Sequence, residues 1–347
     1  MQKNHLLLAL LATVGATSVM AQSSVTLYGR VNTSVERQKA GDVTTTGMFN
    51  NASRIGFKGV EDLGGGLKAG FQLEAGFASD TGAGTGWPGL ASGTGINFGR
   101  QSEVNLSGGF GMVRLGNFMP ESYYATADFV SMHNHDTGSS SDALYYDPVW
   151  FGGLGSKNKV GYRSPSLGGL VIDAAVSLHE KGDLYDGNTV VGKLPEKNGF
   201  DLAANYNLGA LALGAGYSYV NSNYQLGLRA AYTFGQFTVG GYYQRNKDDN
   251  QLLVPGGAGT RNNFRLAGMY TMGASEFHVN LGHANKWSNV ADSAATQWTL
   301  GYNYNLSKRT KVYGYYTRVN NSAGSDINVK QAGDDFSSFA VGVRHNF

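Results

Sequence analysis

A chain of 347 residues with 51 glycines, 20 tyrosines, six prolines and no cysteine is neither a disulfide-stapled domain nor collagen, since no glycine-every-third period runs through it. Its formal charge of +2 is too small to point to nucleic acid or another polyanion as partner, so the positions of the charges carry more information than their sum. Residues 1–21 read as a signal peptide: Lys3 supplies the positive start, 6–14 the apolar run and Val19-Met20-Ala21 the small-residue cleavage pattern. In the remaining unit, 22–347, no apolar run reaches eighteen residues, which excludes a helical membrane protein and leaves the periplasm, secretion or an outer membrane.

In chain order, residues 24–37 alternate. Val25, Leu27, Gly29, Val31 and Val35 fall on one face, and Tyr28, Arg30, Asn32, Ser34 and Glu36 on the other, the pattern of a half-buried strand. A polar gap separates this strand from 53–60, where Ile55 and Phe57 oppose Arg54 and Lys58; then 67–77 sets Leu67, Phe71, Leu73 and Phe77 against Lys68, Gln72 and Glu74. The rhythm recurs at 170–178, 200–206, 211–219, 226–234, 237–243, 264–272, 277–281 and 298–304. Seven short turns, at 62–66, 108–111, 165–169, 208–210, 235–236, 273–275 and 306–309, alternate with eight longer or variable connections, which makes sixteen strands. An even number of strands, with short turns at one end and long loops at the other, is the pattern of an outer-membrane barrel. About twenty residues per strand and connection leaves room for the ~10 that cross the apolar band. Tyr206, Tyr232, Phe234, Tyr270 and Tyr304 lie beside turns, where an interfacial girdle would sit. The expected fold is all-β: a 16-stranded antiparallel transmembrane β-barrel bedded in outer-membrane lipid.

One stretch, 117–158, loses the alternation. So long an irregular segment in a compact protein signals function or a misassigned element. It combines acids (Glu121, Asp128, Asp136, Asp142, Asp147) with packing anchors (Tyr123, Tyr124, Phe129, Tyr145, Tyr146, Trp150). We expect it to fold into the lumen and set the width and field of a pore.

The chain ends in FSSFAVGVRHNF, with Phe339, Val341, Val343, His345 and Phe347 on one face. This end resembles the signature by which bacterial outer-membrane proteins are presented to the barrel assembly machinery. "SSVTLYGRV", "SRIGFKGVEDLGGGLKAGFQLE", "LSGGFGMVRLGN" and "YRSPSLGGL" resemble segments of β-proteobacterial porins. The resemblance implies a sixteen-stranded barrel, usually a homotrimer, with the third long loop folded inward opposite an arginine cluster. The matching basic residues are Arg54, Arg100 and Arg163, joined by Lys58 from alternation; the acidic loop offers Asp128, Asp136 and Asp142; and Phe347 is the assembly signal. The Pro-Glu-Phe-Gly-Gly segment that many porins carry at the loop tip is replaced here by HDTGSSSDALYYDP. Alternation with Val104 and Leu106 outward places Arg100 outward too, at a cost of ~2–4 kcal/mol in mid-membrane. Either a trimer contact that leaves Arg100 facing the pore, with Glu103 and Asn105 toward a neighbouring subunit, or a bulge resolves this.

Alternation turns Arg30, Arg54, Lys58, Lys68, Arg114, Lys159, Arg163, Arg229, Arg265 and Arg344 inward against Glu36, Glu74, Asp173 and Asp201, a basic lumen that favours anions. Catalytic and metal sites find little support. His133 and His135 lack an evident third ligand, Ser177 and His179 show no sign of mutual contact, and 64–66 is a turn with no helix after it to cradle phosphate. The reading is therefore a non-enzymatic channel, without cofactor, for passive diffusion of small hydrophilic solutes and ions, with anions preferred. The alternative is a solute-specific channel whose loop aromatics form a saturable path.

Overall fold

The structure, a computed structural model, describes residues 24–85, 95–127, 139, 141–149, 157–179, 183–186, 189–193, 197–249 and 256–347. The stretch 1–21 expected to be a signal peptide, and Asp128, Asp136, His133 and His135, lie outside the described residues.

Strands dominate. They are β1 (Ser24–Ala40), β2 (Val43–Asn50), β3 (Arg54–Gly64), β4 (Leu67–Phe77), β5 (Gly84–Thr85), β6 (Gln101–Gly108), β7 (Gly111–Asn117), β8 (Lys159–Arg163), β9 (Leu170–Ser177), β10 (Asp183–Asp186) and β11 (Thr189–Lys193). The series continues with β12 (Gly199–Leu208), β13 (Leu211–Val220), β14 (Asn223–Phe234), β15 (Phe237–Asp248), β16 (Gly259–Met272), β17 (Ser275–Ala284), β18 (Ala295–Asn305), β19 (Thr310–Asn321) and β20 (Phe336–Asn346). Among the described residues one short helix, α1 (Glu121–Ala125), follows β7. β10 and β11 pair only with each other, and the other strands form one 18-stranded antiparallel sheet closed by β1 against β20. β2 and β3 are two halves of a single wall strand and β5 is a two-residue extension, so sixteen strands make the wall. Closure leaves no long free edge.

All seven short turns fall where the sequence places them. The polar gap does not: β1 continues to Ala40, turns at Gly41 (φ 57°) and returns as β2. Thr44, Thr45 and Thr46 hide this strand from a hydrophobic-period reading, yet their β-branched side chains suit a ladder whose bonds are backbone to backbone. The wall strand bends at 51–53, where Ala52 has φ 57° and Ser53 bonds Asn32 from the neighbouring strand. A second two-residue turn, at Asn221 (φ 54°), joins β13 to β14, so two of the eight variable connections are as tight as those at the other end.

The wall's two faces invert the order of a soluble protein. Val25 is 68% exposed and Leu266 65%, whereas Asn32, Gln225, Asn263 and Thr317 are fully buried on the inner face. Apolar side chains out and polar side chains in is the distribution of a membrane barrel. Near the short turns the outer rings of Tyr232, Phe234, Phe237, Tyr270, Phe277 and Tyr302 follow one another at centroid spacings of 4.7–6.3 Å, a continuous aromatic belt over β14 to β18.

Candidate functional site: the barrel interior

Described parts of the segment between β7 and β8 are fastened to the polar face of the wall. Asp201 on β12 accepts the N–H groups of Glu121 (2.9 Å) and Ser122 (3.3 Å) and the Ser122 hydroxyl, a carboxylate set at the positive end of α1. Arg229 on β14 donates from Nε to the Ala125 carbonyl at the other end (2.6 Å). Between these anchors the helix needs a wall without side chains. Gly214, Gly216 and Gly227 provide it: a Cβ on Gly216 would lie 2.6 Å from the Ser122 carbonyl, one on Gly227 2.6 Å from the Thr126 methyl, and one on Gly214 would strike the Ala125 carbonyl.

The later part is held as firmly. Arg265 on β16 donates to Asp142 (2.6 Å), whose other oxygen accepts the Tyr242 hydroxyl. Gln297 on β18 donates to the Ser141 carbonyl (2.8 Å) and accepts the Ala143 N–H (3.0 Å). Ser139 and Tyr315 both donate to Glu36 of β1, each at 2.6 Å. Asp147, fully buried, accepts the Val149 N–H and the Ser218 hydroxyl.

Charge is arranged in two ways. On β6 to β9, signs alternate: Arg114 bonds Glu103 (2.6 Å) and Glu121 (2.5 Å), and Arg163 bonds Glu121 (2.8 Å) and Asp173 (2.6 Å). Phe118 lies beneath both the Arg114 guanidinium (4.1 Å to the ring centroid) and the Lys159 ammonium (4.5 Å), while Lys159 donates to the Phe118 carbonyl. On the strands flanking the closing seam, like charges face each other. Arg30 of β1 is in register with Arg54 of β3, and Arg344 of β20 with Lys311 of β19. Asn346 and Asn32 are their partners across the seam, so the two pairs are neighbours. Lys58, two repeats of the pleat along from Arg54, lies over the Tyr28 ring at 5.4 Å. Lys311 is tempered by Glu276 at 3.3 Å.

A family model described as Gram-negative porin matches residues 7–324. The chain belongs to the Gram-negative porin family. Outer membrane porin protein 32 of Delftia acidovorans is 32% identical, with all of both chains covered. An outer membrane porin of Bordetella pertussis is 29% identical, again over all of both. A solved anion-selective porin from Comamonas acidovorans superposes with a TM-score of 0.72 at 29% identity, covering 94% of this chain and 100% of that one. The porin is thus an outer-membrane channel through which small hydrophilic solutes and ions diffuse passively, and its family and fold are those of a channel rather than an enzyme.

The basic residues expected in the porin's constriction part company in the structure. Arg54 and Lys58 face inward on the seam side. Arg163 also faces inward, but it is engaged by Glu121 and Asp173. Arg100 precedes the first residue of β6, where alternation no longer governs it; its side chain turns onto Glu74 (2.7 Å), and Glu103 points inward to Arg114 rather than toward a neighbour. Among the described loop acids, Asp142 meets Arg265, and Glu121 reaches the expected Arg163. The interior holds more acid than alternation counted, since Glu103, Asp248 and Glu276 join it from the wall and Glu121, Asp142 and Asp147 from the loop. Ser177 ends β9 and His179 lies exposed beyond it.

Proposed function

We propose that the porin prefers anions, and that Arg54 and Lys58, with Arg30 and Arg344, set this preference. The observation that carries it is the register of like charges. Cations directly opposite each other destabilise a sheet by ~0.2–1 kcal/mol, and here two such pairs, Arg30 with Arg54 and Arg344 with Lys311, sit side by side on the inner face. Across the seam these two pairs adjoin, which gathers four cations on one stretch of the inner face. The Comamonas relative, described as anion-selective, is consistent with this reading. Residues 117–158 act as the constriction loop: Asp142 and Glu121 hold it to the wall, with Asp128 and Asp136 as further candidate acids, and Arg100 and Arg163 contribute while engaged with their acids.

The remaining parts of the proposal are a signal peptide at 1–21, assembly as a homotrimer and delivery by the barrel assembly machinery through Phe347. In support of the last, Phe347 exchanges both backbone hydrogen bonds with Gly29 (3.0 and 3.1 Å), and its ring occupies the space a Gly29 side chain would fill. Deleting Phe347 lowers the amount of assembled barrel; normal assembly at native expression would refute that role. For selectivity the test is the reversal potential in a potassium chloride gradient. A chloride over potassium permeability ratio above one is expected, falling in Arg30→Gln/Arg54→Gln, with the difference fading between 0.1 M and 1 M salt as the Debye length shrinks from ~10 to ~3 Å. A wild-type channel that prefers potassium would overturn the proposal.

A further inference from the structure

At the long-loop end, a cavity of about 350 Å³ opens between the loop after β7, the ends of β15 and β16, and the loops 285–294 and 322–335. Its size falls in the range of small-molecule sites. Arg261 forms one side. The residue is 6% exposed, stacked on Trp287 (4.6 Å from guanidinium carbon to ring centroid) and on Tyr146 (5.6 Å), and bonded through Nη2 to the Leu144 carbonyl. Among the described residues it makes no ion pair, and its buried Nε has no hydrogen-bond partner. Two carboxylates line the same cavity: Asp248, which accepts the Tyr146 hydroxyl, and Asp326, exposed in the loop 322–335. Val290, Ile327 and Trp287 supply apolar surface between them.

A guanidinium, two carboxylates and an apolar wall in one cavity are complementary to a molecule bearing both charges and an apolar body. We propose that this cavity binds a zwitterionic amino acid with an apolar or aromatic side chain. Its carboxylate is received by Arg261, its ammonium by Asp248 and Asp326, and its side chain by Val290, Ile327 and Trp287. The planar donor fork of arginine suits a carboxylate, and the stack on Trp287 and Tyr146 fixes the fork in place before the ligand arrives. Such a site gives the channel a saturable step at its mouth. It stands apart from the ion preference, because it uses none of the seam cations.

The test is calorimetric titration of the folded, detergent-solubilised porin with L-phenylalanine, 3-phenylpropanoate and 2-phenylethylamine. L-phenylalanine is expected to bind saturably, and each singly charged analogue about tenfold more weakly. Arg261→Gln is expected to weaken L-phenylalanine about tenfold and leave 2-phenylethylamine unchanged. Equal binding of all three compounds, or no saturation by L-phenylalanine up to its solubility limit, overturns the proposal. Should Arg261→Gln fail to give a heat-modifiable barrel, Val290→Trp fills the cavity from a loop: loss of binding with the barrel intact supports the site, and unchanged binding overturns it. Neither result moves the reversal potential, so this proposal and the anion preference fail separately.

Discussion

Two charged regions of the same interior are built on opposite rules. Beside the start of α1 two guanidiniums each lie between carboxylates, in the chain Glu103, Arg114, Glu121, Arg163, Asp173. At the seam, cation is set against cation. The first arrangement is what a fold needs to hold a loop in place, because a buried charge is costly unless it is paired. The second sets like charges in register, which opposes pairing of those strands even though Arg30 bonds Asn346 across the seam and Lys311 meets Glu276. Within one lumen, sign alternation marks charge that holds the loop, and on the proposal above like-sign register marks charge kept for transport.

The strongest way to break that distinction is to remove the centre of the first region. Arg114→Leu leaves buried Glu103 without its cation and is expected to cost about 3–5 kcal/mol, read as a lower urea midpoint or a lower temperature for the shift from folded to unfolded gel mobility. An unchanged midpoint would mean that the network does not hold the loop. Next comes the surface on which α1 rests. Gly216→Val drives a side chain into the Ser122 backbone, for an expected loss of about 1–3 kcal/mol together with a rise in single-channel conductance as the loop lifts; reduced conductance would contradict the docking role. The mildest change sharpens the contrast from the other side. Arg30→Gln relieves an opposed pair, so stability should hold or rise by a few tenths of a kcal/mol while the chloride preference falls. A clear loss of stability would place Arg30 among the structural charges.

Much of this was legible in the chain. Period-two alternation found the wall and the inward direction of Arg54, Lys58 and Arg163, and glycine-rich turns fixed the strand count. Alternation assigns a face, however, and never a partner. It could not show that Glu121, rather than Asp142, meets Arg163, because that depends on the path of an irregular segment across several strands. It misread the threonine run of β2 as a gap, since the bonds of that ladder are backbone bonds and leave no hydrophobic trace. It also had no claim on Arg100, one residue outside its strand. A signal for the docking surface was present in the inward glycines Gly214 and Gly216, spaced two apart on one strand, where the missing side chains leave room for another backbone.

The seam also bears on how fast the barrel forms. Arg30 and Asn346, bonded across it, are 316 residues apart in sequence, and the entropy of bringing such distant points together costs about 5 kcal/mol on logarithmic scaling. Contacts of that range form late. Each like-charge pair lies within strands adjacent in sequence, β1 with β3 and β19 with β20, so each is made early and locally. Only the final stitch brings the two pairs together, stacking four positive charges at the moment when β1 and β20 are still open edges. Small anions that condense there would lower the electrostatic barrier to zipping, so the rate of closure in folding from urea into detergent should rise with added chloride more steeply than the rate of strand formation that precedes it.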